Sequence, residues 1–454
     1  MLTMKPTSIQ IIEQLKKAGH EAYWAGGCVR DMLLGTEPKD FDIVTSAKPD
    51  EIEDLLEKTI PIGKEFGVIL AIQNGHNFEI ATFRSDSGYS DGRRPDAVEF
   101  TNAKQDAQRR DFTINALFYD PTKDQIYDYT DGQKDMKERL IKFIGNPEER
   151  ILEDHLRLLR AVRFKNNFDF QYHPDTYQAI KKHAKLIGKI SKERIRDELN
   201  KMMMGDNADQ GFEELLELGM LDEILPEVAK MKGVAQPSIY HHEGDVWDHS
   251  KLSLHNLTRE DADPDPLPET ISLNLRWATF LHDIGKPETF TYDEERIRFD
   301  HHAERGGEIA TEILKRLKFP NKDIKRIAWL IEHHMMVVPL MEMSDKRKRA
   351  WFLKDGLPEL LELYRADALG IEPLDLDFYH ELKRMYKHEI AELKLMPKTL
   401  VHGDEIMRIL KIPKGKAVGT ILGQIRDLQL DKKIKTKKDA LSYVQSLVKK
   451  SQKS

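Results

Sequence analysis

A single cysteine, Cys28, stands in a chain of 454 residues. That excludes an internal disulfide and any zinc site built from paired cysteines, and it agrees with a reducing compartment. No stretch approaches the roughly 20 apolar residues that a membrane-crossing helix needs. The opening residues, MLTMKPTSIQ, lack the apolar core of a secretory leader. A cytoplasmic protein without a membrane partner is the expectation. Net positive charge is missing too: 71 Lys and Arg face 78 Asp and Glu, a formal charge of -7. Global charge therefore argues weakly against a nucleic-acid partner, although charge is uneven enough to leave local basic patches. Lys432 to Lys453 is Lys-rich, and Glu260 to Glu269 is acidic and Pro-rich. Taken alone, the Lys-rich end reads as a solubilising tail.

The length accommodates two to four domains, and no repeat recurs at a fixed period. The first part alternates strand and helix signals. Residues 9–18 have helical periodicity, Ala22–Ala25 reads as a strand, Gly26-Gly27 as a turn, and Val29–Leu34 as a helix closed by Gly35. Phe41–Thr45 reads as a second strand. Val68–Gln73 and Asn77–Phe83 flank Asn74-Gly75, a strong hairpin signal. From about Glu138 to Val228 the pattern turns helical and charged. A His-rich helical region follows over roughly 238–395, and a small segment closes the chain. The expected fold class is α+β, mostly α: a head over 1–125, a helical neck over 126–232, a helical body over 233–396 and a tail over 397–454.

Chemistry concentrates first in GGCVRDMLLG…KDFDIVT. A strand running through two glycines into a helix lets backbone N–H groups approach an anion, and Arg30 adds a charge-assisted contact to phosphate. Asp40 and Asp42 lie two apart on the expected strand, so their carboxylates share one face while Phe41 and Ile43 point into a core. Paired carboxylates repel and call for a hard cation such as Mg²⁺. Two such ions activate a hydroxyl nucleophile and stabilise a leaving pyrophosphate. Asp-x-Asp alone is as well explained by a solvated strand end; its place after the Gly-Gly turn favours catalysis. Glu79, on the strand after the hairpin, is a candidate third carboxylate.

Two further motifs follow: Arg109, Arg110, Asp111, Phe112, Thr113, Ile114, Asn115, Ala116, and then Glu153, Asp154, Arg157, Arg160, with Arg163 one turn on. On a helix, Asp154 and Arg157 would be neighbours at i,i+3. A carboxylate accepts hydrogen bonds and a guanidinium donates them. Cytosine and adenine each present an amine donor beside a ring-nitrogen acceptor, whereas guanine and uracil present the reverse. The pair therefore matches C and A and is mispaired against G and U. Read without the upstream motifs, it is a weak surface ion pair.

These three ordered motifs resemble the bacterial class of the tRNA nucleotidyltransferase and poly(A) polymerase family, most closely over residues 10–225. The resemblance implies a polymerase-β-like head with a helical neck, body and tail. It implies addition of C, C and A to the tRNA 3′ end from CTP and ATP. Asp40 and Asp42 would hold Mg²⁺ and carry the chemistry. Gly26, Gly27, Arg30, Arg110, Asp111 and Asn115 would form the nucleotide site, and Asp154, Arg157, Arg160 and Arg163 would select the base. A-adding, CC-adding and poly(A)-adding enzymes share these motifs. The polar loop RSDSGYSDGRRPDAVEF, whose Arg93 and Arg94 are candidate phosphate contacts, is present rather than deleted, which disfavours a CC-only enzyme. Asp131 and Gly132 are hinge candidates.

The body carries His249, His282-Asp283, His301-His302, His333-His334 and Asp367. Clusters of His and Asp on successive helices are economically read as a metal site. The run WATFLHDIGK reads as an apolar helix ending at His-Asp with Gly285 as its C-cap. The pattern resembles the HD superfamily of phosphohydrolases, with His249, His282, Asp283 and Asp367 as the match. A divalent transition metal is the candidate cofactor, and RNA ends are the candidate substrate. One histidine from each of the two pairs would complete a two-metal site, and sequence does not choose between them. An HD phosphohydrolase with an idle head and a non-catalytic RNA-binding protein are the rival readings; retained ligand sets in both halves argue against each. Gly415 and Gly419 mark a candidate phosphate-contacting helix entry in the tail.

Overall fold

The computed structural model describes residues 3–89, 92, 95–237, 244–257, 267, 271–293, 296–371, 376–396 and 399–451. Arg93, Arg94 and all of the acidic run 260–269 except Leu267 lie outside the described residues. The chain divides into two compact units, Met1–Pro226 and Glu227–Ser454.

The first unit is built on a seven-stranded sheet. Its strands are β1 (Ala22–Ala25), β2 (Ile43–Thr45), β3 (Thr59–Gly63), β4 (Val68–Gln73), β5 (His76–Thr82), β8 (Leu117–Asp120) and β9 (Gln125–Asp128), in the order β3-β4-β5-β2-β1-β8-β9. Strands β6 (Arg84–Ser87) and β7 (Ala97–Phe100) form a separate antiparallel ribbon. Only β2 and β5 pair in parallel, with Ile43 opposite Ile80; the other pairs in the seven-stranded sheet are antiparallel. The central strands β1 and β2 are buried along their whole length, as expected of strands covered on both faces. The helix Met4–Lys17 covers β1 with Ile11, Ile12 and Leu15, and Trp24 Nε1 donates to Ser8 Oγ at 3.0 Å. Asn74 (φ 53°) and Gly75 (φ 81°) supply two consecutive left-handed residues, the geometry of the tight β4–β5 hairpin.

Helices Pro147–Glu153, Arg157–Phe168, Lys192–Met203 and Ala208–Glu217 follow. Leu158, Leu159, Ala161 and Val162 bury the inner face of Arg157–Phe168. Buried polar pairs lock the bundle: Arg163 Nε donates to Glu198 Oε2 at 2.7 Å and Asn166 Nδ2 to Glu214 Oε2 at 2.7 Å.

The second unit is almost wholly helical. Val246–Leu257, Leu273–Leu281, His302–Arg316, Asn321–His333 and Leu357–Ala368 pack together around Trp247, Trp277, Phe280 and Leu330. A smaller core around Ile406, Val418, Ile425 and Val444 joins Gly403–Leu410, Lys416–Leu430 and Lys437–Ser451. No helix among the described residues is long and apolar enough to cross a membrane. The class is α+β with helix dominant, as the sequence pattern implies.

Three local expectations are corrected. The second strand starts at Ile43, so Asp40 and Asp42 lie in the loop segment that leads into it. Asp154 ends the helix Pro147–Glu153 with extended φ/ψ, and Arg157 starts the next helix, so the two do not share one. The apolar helix does end at His282, its C-cap, but Gly285 has φ -80°, which is no left-handed cap. Gly285 is required instead by packing: a Cβ there would lie 2.1 Å from the His302 carbonyl oxygen.

Candidate functional site

At the end of β1 the chain turns through Gly26 at φ 71°, ψ -125° and enters the helix Gly27–Leu33. A side chain at Gly26 is strained by that φ, and its Cβ would approach Arg110 Nη1 to 3.1 Å. Arg30 is buried beneath the turn. Its Nη1 donates to Asn115 Oδ1 at 2.7 Å, its Nη2 to Asp31 Oδ1 at 2.6 Å, and its guanidinium lies 4.6 Å from the Phe168 ring centroid. This cation is held in place before any ligand arrives.

Phe41 and Ile43 are buried and Asp40 and Asp42 exposed, so the alternation holds although the strand is shorter. The Ala25 N–H donates to the Asp42 carbonyl at 3.0 Å and ties this segment to β1. The pairing of Ile43 with Ile80 sets the preceding residues, Asp42 and Glu79, side by side on the sheet. The Asp42 carboxyl opens on the cavity yet is crowded by protein. Desolvation, then the charges of Asp40 and Glu79, push it up to about 6, with Arg110 opposing. Carboxylates destabilised by one another are a donor set that a hard divalent cation relieves, and Mg²⁺ fits it.

Asp111 answers from the other side. Burial alone would raise its carboxyl. Arg160 and then Arg157, with hydrogen bonds from Asn115 Nδ2 and the Phe112 N–H, hold it instead at about 2. Arg160 grips Asp111 Oδ2 with both Nε and Nη2 at 2.6 Å. Arg110 leans on Asp106 through Nε at 3.2 Å and Nη2 at 3.1 Å.

The side chains of Asp154 and Arg157 do not pair with each other, although the Arg157 N–H donates to the Asp154 carbonyl at 3.0 Å. Arg194 takes Asp154 in a two-pronged grip, Nη1 to Oδ1 at 3.0 Å and Nη2 to Oδ2 at 2.7 Å. Arg157 Nη1 donates to Glu153 Oε2 at 2.5 Å and to the Arg150 carbonyl at 2.7 Å. Each base-reading candidate is thus aimed by a neighbour. Gly26, Gly27, Arg30, Asp40, Asp42, Arg110, Asp111, Asn115, Asp154, Arg157, Arg160 and Arg163 all line one cavity of about 870 Å³. Glu79 is not among its lining residues. Phe164, Asn167, Phe168 and Lys201 also line it, and none was legible in the motifs. Arg194 and Glu198 were missed as well. Their only sequence signal is an i,i+4 spacing on a charged helix, which says nothing of Asp154.

The second cluster lies in the helical unit. His249 Nε2 is 2.8 Å from Asp367 Oδ1 and 3.8 Å from Asp283 Oδ2; His282 Nε2 is 3.3 Å from Asp283 Oδ2. On the other oxygen, His302 Nε2 is 3.5 Å and His334 Nε2 3.9 Å from Asp283 Oδ1. Two groups, His249/His282/Asp283 and Asp283/His302/His334, therefore share Asp283. The structure also chooses within each pair. His301 is exposed beside Glu304, and His333 stacks on Trp329 at 4.7 Å. His282, His302 and His334 turn Nδ1 to the carbonyls of Thr279, Phe299 and Ile331 at 2.8, 2.8 and 2.7 Å, leaving Nε2 facing inward. Such outer hydrogen bonds set the tautomer that a metal-binding imidazole needs. His282 Nε2 is buried without a well-formed hydrogen bond. Burial disfavours its charge, but Asp283 and Asp367 push it up to about 10, while burial and His282 push His334 down to about 4. A buried orphan nitrogen and a cation drawn into the centre fit a divalent metal, and the N/O donor set suits a transition metal. Lys286 Nζ closes one side, 2.6 Å from Asp283 Oδ2 and 2.6 Å from Gln236 Oε1.

Comparison with known proteins agrees with this division. Residues 22–142 match the poly A polymerase head domain, 169–232 the probable RNA and SrmB-binding site of polymerase A, and 246–369 the HD domain. A CCA-adding enzyme of Ligilactobacillus salivarius is 47% identical over 211 residues, 46% of this chain and 52% of that protein. The chain thus spans about half the length of this relative. A solved structure of the Bacillus stearothermophilus CCA-adding enzyme in complex with CTP superposes with a TM-score of 0.71 at 26% identity, covering 100% of both chains. A CCA-adding enzyme of Pediococcus pentosaceus is 31% identical over 434 residues, 95% of each protein. With likeness running nearly end to end, the chain belongs to the CCA-adding enzyme family.

Proposed function

We propose that the chain adds C, C and A to the 3′ end of tRNA from CTP and ATP, without a template. One observation carries the reading: a single cavity gathers the Gly-Gly turn, the Asp40–Asp42 pair, a ring of anchored arginines and the Asp154–Arg157 edge. The relatives named CCA-adding enzymes support it.

In the reaction the tRNA 3′-oxygen forms a bond to the α-phosphorus of the incoming nucleotide as the bond to pyrophosphate breaks. Asp40 and Asp42, with Glu79 as third carboxylate, would hold Mg²⁺, which when bound would supply charge neutralisation for the attacking and leaving oxygens. Arg30 and Arg110 are anchored on protein partners and present residual N–H donors to the triphosphate. Asp111 fixes Arg160, and Glu198 fixes Arg163, so that their positive charge borders the nucleotide site without collapsing on Asp40 and Asp42. Asp154 keeps lone pairs for the exocyclic amine of C or A beyond those given to Arg194 and to the Leu156 N–H. Arg157 donates to the ring nitrogen. Within this reading the head spans 1–125 and the base-selecting neck 126–232, before an HD body over 233–396 and a tail over 397–454.

Three tRNA transcripts, ending at the discriminator base, at C and at CC, test the proposal with CTP, ATP or both. Three additions and a stop are expected from the first. Addition of A alone, and only to the CC end, would reassign the chain to A addition. Full incorporation by Asp42→Ala would remove the catalytic assignment.

The six-residue His/Asp cluster supports a second activity, hydrolysis of phosphoesters at RNA ends. His249, His282, Asp283, Asp367, His302 and His334 would hold two divalent transition metals, whose bound state supplies an activated water. Ring opening of a 2′,3′-cyclic phosphate end to a phosphomonoester, one water added and one P–O bond broken, is the expected outcome, and chelation is expected to abolish it.

A further inference from the structure

Phe164 is buried, 3% exposed, in the helix Arg157–Phe168, and its ring carries three cations. The guanidinium carbons of Arg163, Arg160 and Arg30 lie 4.0, 5.1 and 5.2 Å from its centroid. Only one of these contacts is local. Arg160 and Phe164 are i,i+4 neighbours on one helix face. Arg163 leaves the helix about 100° round from Phe164. It folds back over the ring while Glu198, on the helix Lys192–Met203, accepts from its Nε at 2.7 Å. Arg30 arrives from the helix Gly27–Leu33, and the Phe168 ring, 5.7 Å from Phe164 and nearly parallel to it, meets the same guanidinium at 4.6 Å.

Three like charges are crowded there with little water to screen them. Each has one carboxylate: Arg30 meets Asp31 at 2.6 Å, Arg160 meets Asp111 at 2.6 Å, and Arg163 meets Glu198 at 2.7 Å. Burial, with the charges of Arg160 and Arg30, holds the Arg163 guanidinium below its ordinary value against the opposing pull of Glu198. The carboxylates therefore do not wholly offset the crowding. An aromatic face attracts a cation through its quadrupole, most strongly away from water. It does so without accepting from an N–H. A guanidinium has five donors, and those gripped by a carboxylate are lost to a ligand. A ring under the same guanidinium fixes its place while the remaining donors stay free for phosphate oxygens. Phe112 packs edge to face on Phe164 at 5.6 Å and 84°. A ring that served only to fill the core would have no reason to gather charge from two separate helices as well.

We infer that Phe164 is a positioning residue for the phosphate tail of the incoming nucleotide: its ring gathers the Arg30, Arg160 and Arg163 guanidiniums before the triphosphate arrives and leaves their outer N–H groups free to donate to it. The inference rests on the nucleotidyl transfer proposed above. Without the ring the three cations turn apart towards water, and the triphosphate must regather them.

The test replaces Phe164 in the full chain with mono-, di- and pentafluorinated phenylalanine, which keep the ring while withdrawing charge stepwise from its face. The same series at Phe143, stacked on Phe112 at 4.7 Å with no cation over it among the described residues, controls for fluorination itself. Binding of inorganic pyrophosphate is measured by calorimetry, and KM and kcat by CTP incorporation into a transcript ending at C. Each step at Phe164 is expected to weaken pyrophosphate binding, reaching about five- to thirty-fold in the pentafluorinated chain, the size of one desolvated cation–π contact. KM for CTP is expected to rise in parallel while KM for the transcript stays constant. Phe164→Leu, which removes the ring, is expected to match or exceed the last step. Unchanged or tighter pyrophosphate binding across the series, or an equal loss in the Phe143 series, overturns the assignment, because a filling ring answers to volume and not to the charge on its face. Incorporation of CTP with ungraded pyrophosphate binding fells the role of Phe164 alone. Graded pyrophosphate binding without any incorporation by the unaltered chain fells the proposed reaction alone.

Discussion

Arg194 holds Asp154 by both carboxylate oxygens, at 3.0 and 2.7 Å, with side chains 23% and 19% exposed. Replacing it with Ala leaves Asp154 in the cavity with only the Leu156 N–H, 3.1 Å from Oδ1, to orient it. A buried charge-assisted hydrogen bond contributes about 1.5–3 kcal/mol and an exposed ion pair about 0.2–1 kcal/mol. This half-screened fork falls between, at about 1–2 kcal/mol of orientation. At about 1.4 kcal/mol per decade, kcat/KM for CTP falls roughly 5- to 30-fold in Arg194→Ala. UTP gains nothing from a correctly aimed Asp154, so its incorporation falls little and the CTP/UTP ratio drops by a similar factor. Arg194→Lys, one donor head in place of a planar fork, lies between. The assay is single-nucleotide incorporation with each triphosphate into a transcript ending at C. An equal loss for CTP and UTP would show that Arg194 merely supports the fold. No loss at all would remove the idea that the base-reading carboxylate needs to be aimed.

Other expectations follow from the same geometry. The Asp111 carboxyl lies at about 2 in the fold against an ordinary 3.8, so its stabilising contribution is complete above pH 4 and fades as pH falls towards 2. The gap amounts to about 2 kcal/mol, read as the difference between wild type and Asp111→Asn in urea unfolding at pH 5 and pH 2.5. Gly26→Ala forces φ 71° on a side chain 3.1 Å from Arg110 Nη1. It is expected to lower stability by about 1–3 kcal/mol and to raise the KM for CTP, as thermal melts and initial rates would reveal. His334→Ala is expected to lose at least ten-fold in metal affinity, whereas His333→Ala, whose ring stacks on Trp329, retains it; elemental analysis after dialysis decides. Glu79→Gln removes one of the charges that raise Asp42 and, as third carboxylate, is expected to increase the Mg²⁺ concentration needed for half-maximal incorporation.

Much of the site was legible in the chain itself. The Gly26–Gly27 turn, the alternation that exposes Asp40 and Asp42 while burying Phe41 and Ile43, and the order of the three motifs are local properties. Turn geometry and a two-residue period act over a few residues, so they can be read without a fold. The Asn74-Gly75 hairpin belongs to the same class. The family likeness was carried by these same residues.

Tertiary structure decided what depends on partners far along the chain. The i,i+3 spacing suggested that Asp154 and Arg157 pair, but a break between two helices separates them, and Arg194, forty residues on, takes the carboxylate. Gly285 looked like a helix cap; the near approach of the His302 carbonyl made it a packing glycine. No pattern chose His302 over His301 or His334 over His333, because neighbours in sequence point to different sides and only the packed helices say which side holds Asp283. The types of chemistry were set locally, by which side chains the chain carries. Which groups meet, and which charge answers which, was set by contacts that only folding brings within hydrogen-bonding distance.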